Sequence, residues 1–483
     1  MLKKLARNTS PLPVKVLQFG GGNFQRAFTD WILDEYNQKF KQELGVLVVR
    51  THGKSTYKNW IEQEGLYHVL TRGLRKGEII DEQHQVSCIS QILHAHTDWE
   101  DFLTSAENPD IRLIISNTTE AGISYSPEDK FTDTPPKEFP AKLSRWLYRR
   151  FQYFEGQAEK GCIFMPLELI SENGDRLKEC ILQYASNWDL GEEFEEWIES
   201  HNIFCNTLVD RIVPGIKKED LPKEMEKVGF EDHMMTVGEA FHFWAIEGPE
   251  QIQKEFPLDE LGLNVVFTQD LTPFRKRKVR ILNGAHTSMV PVGILYGCES
   301  VREAVEDEVM GSFVKHCMFQ EIIPSLNMPS HKLAEYADEI LDRFRNPFIH
   351  HRLISISLNS ISKFCTRVLP SILDYHKKQG ELPKGLVFAM AALIHFYKGE
   401  HEGESIPLND DEKAISFLQH LWQQCDGSKP AFSDMTQAIL RWEYAWKKDL
   451  STISGLGELL REYLVKIEQG GMKSALNSLL NSF

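Results

Sequence analysis

The sequence predicts an α/β chain: a doubly wound parallel sheet first, then a mainly α-helical domain. Two observations carry this reading. Short β-rich runs alternate with helix-period segments through the first half, the pattern of strands joined by crossover helices. Beyond Pro273 the apolar residues recur at helical spacing, with no strand alternation of comparable quality.

Val14–Phe19 is the first β-rich run, followed by a turn of Gly20, Gly21 and Gly22 and a helical pattern over about 24–40. Gly45–Arg50 is the second apolar run, 112–116 the third, and 161–165 continues the series. Thr97 and Glu100 have capping-box spacing, which starts a helix near Asp98. In the second half, segments 301–319, 331–344, 386–397 and 412–422 read as helices, punctuated by Pro324, Pro347 and Pro370. The domains are therefore set at 1–272 and 273–483.

Hydrophobic residues make up 42% of the 483 and charged residues 26%, as in ordinary globular proteins. No stretch approaches the ~20 apolar residues of a membrane helix. The basic start runs into Pro11 and Pro13 rather than an apolar signal core. No membrane partner and a cytoplasmic location are expected. Eight scattered cysteines without a C-x-x-C pair fit reduced thiols. A net charge of −16 argues against nucleic acid, whose binding needs phosphate neutralisation. Any anionic ligand then requires a local basic cluster. The oligomeric state stays open, and a monomer accords with the sequence.

The run from Val16 to Arg26 joins a strand to a helix. Gly20 permits a tight turn, and Gly22 lets the backbone approach a pyrophosphate at the helix N-terminus. The third glycine of G-x-G-x-x-G falls at Gln25, so the fingerprint is incomplete. Its weight comes from standing at the first strand–helix junction. Phe19, Gly20, Gly21, Gly22, Asn23 and Phe24 are the candidate cofactor residues there. The second run ends in Arg50 instead of the acid that binds ribose hydroxyls, which leans toward the 2′-phosphate of NADP, although arginine also stacks on adenine. Thr118, Thr119 and Glu120 follow the third run, where a nicotinamide or its ribose is contacted; a simple turn is the alternative.

The basic segment from Pro273 to His286 carries the chemistry. On an α-helix, with Lys278 at zero, Asn283 falls near ~140° and His286 near ~80°, on one side. Reducing a carbonyl needs a proton donor and hydrogen bonds to the developing alkoxide. Lys278 can supply the proton, Asn283 an amide N–H and His286 an orienting bond. The like charges of Arg275, Lys276, Arg277 and Arg280, a helix N-terminus and partial burial all favour a neutral amine. A solvated basic helix is the alternative, but Val279, Ile281 and Leu282 interrupt the run. No metal is expected: His94 with His96 and His350 with His351 lack a third ligand. The Tyr444-x3-Lys448 spacing lies far into the helical half and is treated as coincidence.

Segments 18–28, 116–125, 209–212 and 343–347, with the Lys278-x4-Asn283-x2-His286 spacing, are similar to the polyol-specific long-chain dehydrogenases, the mannitol dehydrogenase family. The resemblance spans nearly the whole chain and is greatest to members acting on hexuronate-derived acids. It implies an N-terminal Rossmann-type domain, NAD(H), a metal-independent lysine acid–base, and Asp210 and Lys363 near the substrate, Lys363 pairing with a carboxylate or standing solvated. Two positions depart from it. Glu168 is followed by Leu169, where relatives carry an asparagine that helps hold the oxyanion, and Ser355 stands where an arginine is expected. The implied substrate is a small anionic sugar acid, which the basic cluster favours over a neutral polyol. A dinucleotide sensor without turnover is the contrasting reading; the complete Lys278, Asn283 and His286 set argues against it.

Overall fold

The computed structural model describes residues 2–51, 57–119, 121–401 and 403–483. They form two compact units, Met1–Gly73 with Ile79–Thr272 and Leu74–Glu78 with Pro273–Phe483.

The first unit is built on six parallel strands: β1 (Val14–Phe19), β2 (Gly45–Arg50), β3 (Ile89–His94), β4 (Leu113–Ser116), β5 (Ile163–Pro166) and β6 (Ile203–Phe204). Their spatial order is β3-β2-β1-β4-β5-β6, and every neighbouring pair is parallel. Side chains alternate between faces along a strand. Val16, Val46, Val48, Leu113 and Ile115 therefore enter one apolar cluster, with Phe28, Ile32 and Trp244. Leu17, Phe19, Leu47, Val49 and Ile114 enter the other, with Phe102, Phe139 and Trp146. Burial on both faces explains why these strands read as unbroken apolar runs.

After β1 the expected helix forms in three pieces: Asn23–Gln25, a π turn over Arg26–Asp30, and α1 (Trp31–Phe40). The helix expected near Asp98 begins at Trp99, but no capping box forms. Asp98 instead accepts from the His94 N–H at 2.8 Å, closing the turn that leaves β3.

Two further three-stranded sheets, and a short parallel pair of Lys3–Lys4 with Phe230–Glu231, have no counterpart in the sequence pattern. Tyr67–Arg75 and Glu78–Val86 pair as a hairpin through Lys76 and Gly77, both at positive φ, with Thr236–Glu239 parallel to the former. Asn206–Asp210, Phe243–Glu247 and Val265–Thr268 form the other.

From Pro273 onward the described residues of the second unit form helices and loops, apart from the paired two-residue strands Glu400–His401 and Glu404–Ser405. Its centre is the helix Lys384–Phe396, buried at every position from Gly385 onward and packed against Gly284–Tyr296 and Leu456–Leu480. The expected helix over 301–319 divides at Asp307, whose extended backbone and carboxylate cap a new helix by accepting from the Val309 and Met310 N–H groups. No helix among the described residues is long and apolar enough to cross a membrane. All eight cysteines are free thiols.

Candidate active site

The glycine turn stands at the carboxyl end of β1, beside the carboxyl ends of β2 and β4. Gly20 sits at φ 99°, and a Cβ there would lie 2.6 Å from Gln25 Oε1 and 2.8 Å from the Asn117 carbonyl oxygen. Gln25 thus occupies the third-glycine place as a buried amide beneath the turn, and neither of its polar atoms has a partner among the described residues. Gly21 is closed off by Trp60 and Tyr57. Gly22 differs: it is exposed, and nothing among the described residues lies within 4 Å of its missing side chain. That is the open backbone a pyrophosphate needs. Asn23 is exposed and accepts from the Arg26 guanidinium, while Phe24 stacks on Phe28 at 5.0 Å. Phe19 is fully buried against Phe102 and Phe139, so it meets the turn only through its carbonyl, which accepts from Asn117 N–H.

Below the turn, Arg26 and Asp30 are buried on the π segment. Tyr67 donates its hydroxyl to Asp30 at 2.8 Å, yet burial pushes the Asp30 carboxyl up to about 7. Arg50 ends β2 half-buried, its guanidinium 4.9 Å above the Tyr57 ring.

Beyond β4, Glu168 organises the loop. Its buried carboxylate accepts from Ser116 Oγ, Thr118 N–H and Thr118 Oγ1, each at 3.0 Å. Burial raises its pKa and these bonds oppose the rise. Thr119 accepts from Gly122 N–H at 2.9 Å; Glu120 lies outside the described residues. Leu169 is 62% exposed, and the Asn173 amide is committed to the carbonyls of Pro166, Glu168 and Thr207. Asp210 is buried at the end of its strand, opposite Phe243.

In the second unit the basic segment is not one regular helix. Thr272–Arg277 is α-helical, Lys278–Asn283 is a π turn, and Gly284–Tyr296 resumes the α form. The Gly284 N–H reaches back to the Val279 oxygen, a five-residue closure. One residue is absorbed in such a turn. Asn283 and His286 then sit as if four and seven α steps from Lys278, at roughly 40° and −20°. The spread expected from α geometry contracts to a strip of about 60°.

The run's charges have separate tasks. Arg280 is buried, bonds Ser371 Oγ at 2.9 Å and pairs with Asp374, so a carboxylate offsets the repulsion it was expected to exert on Lys278. Arg277 lies 4.1 Å over the buried Tyr336 ring. Lys278 and Asn283 are half-buried.

His286 packs its ring on Phe344, centroids 4.3 Å apart, and meets His351 edge-on at 5.4 Å. Its Nε2 is sealed from solvent without a hydrogen-bond partner among the described residues. Burial holds this imidazole well below the usual histidine range, and His351, Arg343, Arg367 and Lys363 push the same way. The depression favours the neutral form of the ring. Lys363 donates to the Ile356 carbonyl at 2.9 Å, and burial, then Arg367, depress its pKa. Arg367 was not singled out in the sequence, His351 was weighed only as a metal ligand and Arg343 only within the 343–347 resemblance; for Arg367 the four-residue spacing from Lys363 was the available signal. Among the described residues no group of three His, Cys, Asp or Glu side chains is arranged to hold a metal ion.

The strand order and the open glycine turn define a dinucleotide-binding fold. Residues 14–260 match the mannitol dehydrogenase Rossmann domain and residues 270–467 the mannitol dehydrogenase C-terminal domain. An altronate oxidoreductase of Enterobacter sp. (strain 638) is 42% identical over 468 residues, 97% of each chain. A D-sorbitol dehydrogenase superposes with TM-score 0.79 at 21% identity, over 99% of this chain and 100% of the other. The mannitol 2-dehydrogenase of Pseudomonas fluorescens, in a ternary complex with NAD and D-mannitol, gives 0.65 at 21% identity over 99% and 97%. The chain belongs to the mannitol dehydrogenase family, dehydrogenases of polyols and sugar acids.

Proposed function

We propose that the chain reduces tagaturonate to altronate with NADH, reversibly, using Lys278 as acid–base and no metal. The observation that carries this is the π turn at Lys278–Asn283, whose extra residue per turn draws Lys278, Asn283 and His286 toward one narrow strip of the helix. The name of the Enterobacter relative, at 42% identity over almost the full length, supports the substrate. Cations gathered about His286 favour an acid over a neutral polyol.

Gly20, Gly21, Gly22, Asn23, Phe24 and the Phe19 carbonyl, with Arg50, Thr118 and Thr119, are the residues that would hold the dinucleotide. The uncrowded Gly22 backbone fits a pyrophosphate, and Arg50 stacked on Tyr57 suits an adenine neighbour better than a 2′-phosphate clamp. When bound, NADH supplies the hydride.

The ketone oxygen gains negative charge as its carbon is reduced. The Lys278 ammonium gives that oxygen a proton and becomes an amine, while the Asn283 N–H stabilises the developing charge. Ketone, hydride and proton sum to the secondary alcohol. In oxidation the Lys278 amine takes the hydroxyl proton. His286, held neutral, orients the substrate hydroxyls without adding charge, and Asp210 and Lys363 contact the remaining substrate groups.

Steady-state rates with tagaturonate, fructuronate and mannitol, each with the NAD and the NADP form of the coenzyme, test the reading. Tagaturonate with NADH is expected to give the highest kcat/KM. A clear preference for mannitol, for fructuronate or for NADPH overturns the corresponding part.

A further inference from the structure

We propose that Arg367 is the carboxylate-recognising residue, the side chain that makes this site selective for a sugar acid over the matching neutral polyol. The inference rests on the reading of Lys278, Asn283 and His286 as the reacting centre, and it adds a specificity-determining residue to it.

Cations near His286 and Lys278 other than Arg367 are already engaged. Arg280 is held by Asp374 and Ser371, and Arg277 lies on Tyr336. Arg343 lies in the field of Glu339, a carboxyl whose pKa burial raises against the pull of Arg277 and Arg343. Lys363 has one of its three donors on the Ile356 carbonyl. Arg367 is different. It is half-buried, and among the described residues it has neither a hydrogen bond nor an ion pair to its guanidinium.

Its position is fixed by backbone. Arg367 ends the helix Ser360–Arg367, and its carbonyl oxygen is 3.2 Å from where a Cβ on Gly284 would stand. That places the end of this helix against the first turn of Gly284–Tyr296, two residues before His286. Lys363 lies one turn earlier on the same helix face. The field of both reaches the His286 ring, and burial lowers the Arg367 pKa with no acid among its causes.

Asp410 and Glu339 offset Lys363 and Arg343, but the partly desolvated Arg367 guanidinium has no ion pair among the described residues, which is unfavourable and implies an anion that arrives. A planar fork of N–H donors matches a carboxylate in a bidentate way that an ammonium does not. Arg367 is thus suited to grip the acid, with Lys363 adding charge beside it.

The test compares D-altronate with D-altritol, its neutral counterpart, on the full-length wild type, Arg367→Met and Arg367→Lys. Oxidation kinetics are read together with calorimetric binding of each compound and of NADH. In Arg367→Met the KM and Kd for D-altronate are expected to rise about 10- to 100-fold, the loss typical of a charged hydrogen-bond partner. D-altritol and NADH binding stay within about twofold, and Arg367→Lys falls between. Unchanged D-altronate affinity, or equal weakening of both compounds, overturns the inference. The underlying reading fails separately: a wild type that turns over neither uronate defeats it, while Arg367 is still judged by D-altronate binding alone. An unaltered KM for D-altronate in an active Arg367→Met enzyme defeats only the role of Arg367.

Discussion

Lys278 carries the largest single claim, and its surroundings decide what its loss does. The segment that would bring a second oxyanion donor ends in Leu169, an exposed aliphatic side chain, and Asn173 spends its amide on three carbonyls. In the proposed mechanism, stabilisation of the alkoxide then falls on Lys278 and Asn283. Lys278→Ala is expected to lower kcat by roughly 10²- to 10⁴-fold, the range of general acid–base catalysis. The residues proposed to hold the dinucleotide all lie in the other unit, so NADH binding, followed by fluorescence titration, is expected to change less than about twofold. Turnover near the wild-type rate removes the proton-transfer role. At this scale the sequence was readable where polar residues interrupt an apolar helix, as Asn283 and His286 do. Glu168, Arg343 and Arg367 were not readable in this way, because each takes its meaning from partners far along the chain.

Elements show how local sequence sets geometry and where it does not. The β1, β2, β4 and β5 strands lie where apolar runs placed them, within one or two residues, because both faces of the sheet are buried. The hairpin strand Glu78–Val86 is polar and mostly exposed, and no periodic signal marks it. The π turns are equally silent: composition does not distinguish five-residue from four-residue closure. What ties that hairpin strand to α1 is a titratable bridge. His84 Nε2 lies 2.8 Å from Asp34 and Nδ1 3.1 Å from Glu35. Burial opposes its charge, but the two carboxylates outweigh burial and raise His84 to about 9. A raised folded-state pKa means the bridge contributes fully below about 6.5 and is lost as pH climbs through about 9. The contribution is about 1–3 kcal/mol. Urea unfolding at pH 6.5 and 9.5 should show a wild-type advantage over His84→Asn at the lower pH that largely vanishes at the higher. An advantage equal at both pH values discards the bridge as a pH-dependent term. Asp34 keeps the Ser87 N–H and hydroxyl at 2.8 and 3.0 Å throughout, so the change isolates the histidine.

For the molecule as a whole, the parallel sheet and the helical second half were legible because each is a statement about periodicity over many residues. The three-stranded sheets were not, since their pairings join segments up to about 170 positions apart, as Thr236 with Val69 shows. The division of labour follows from the same architecture. The first unit holds the glycine turn and the Glu168-organised loop; the second holds the π turn, His286 and the cations around it. Each ligand should therefore leave its imprint on a different part of the chain. A bound ligand slows amide exchange by stabilising the conformations that bind it. With NADH alone, protection is expected to increase over 14–26, 45–50 and 113–119. With D-altronate alone it is expected chiefly over 278–286 and 360–367, which carry the π turn, Lys363 and Arg367, with a smaller increase over 206–210, which carries Asp210. Exchange measured by mass spectrometry on the full chain separates the two patterns. D-altronate protection confined to the first unit would refute the assignment of the substrate's polar groups to the helical unit, whatever the turnover assays gave.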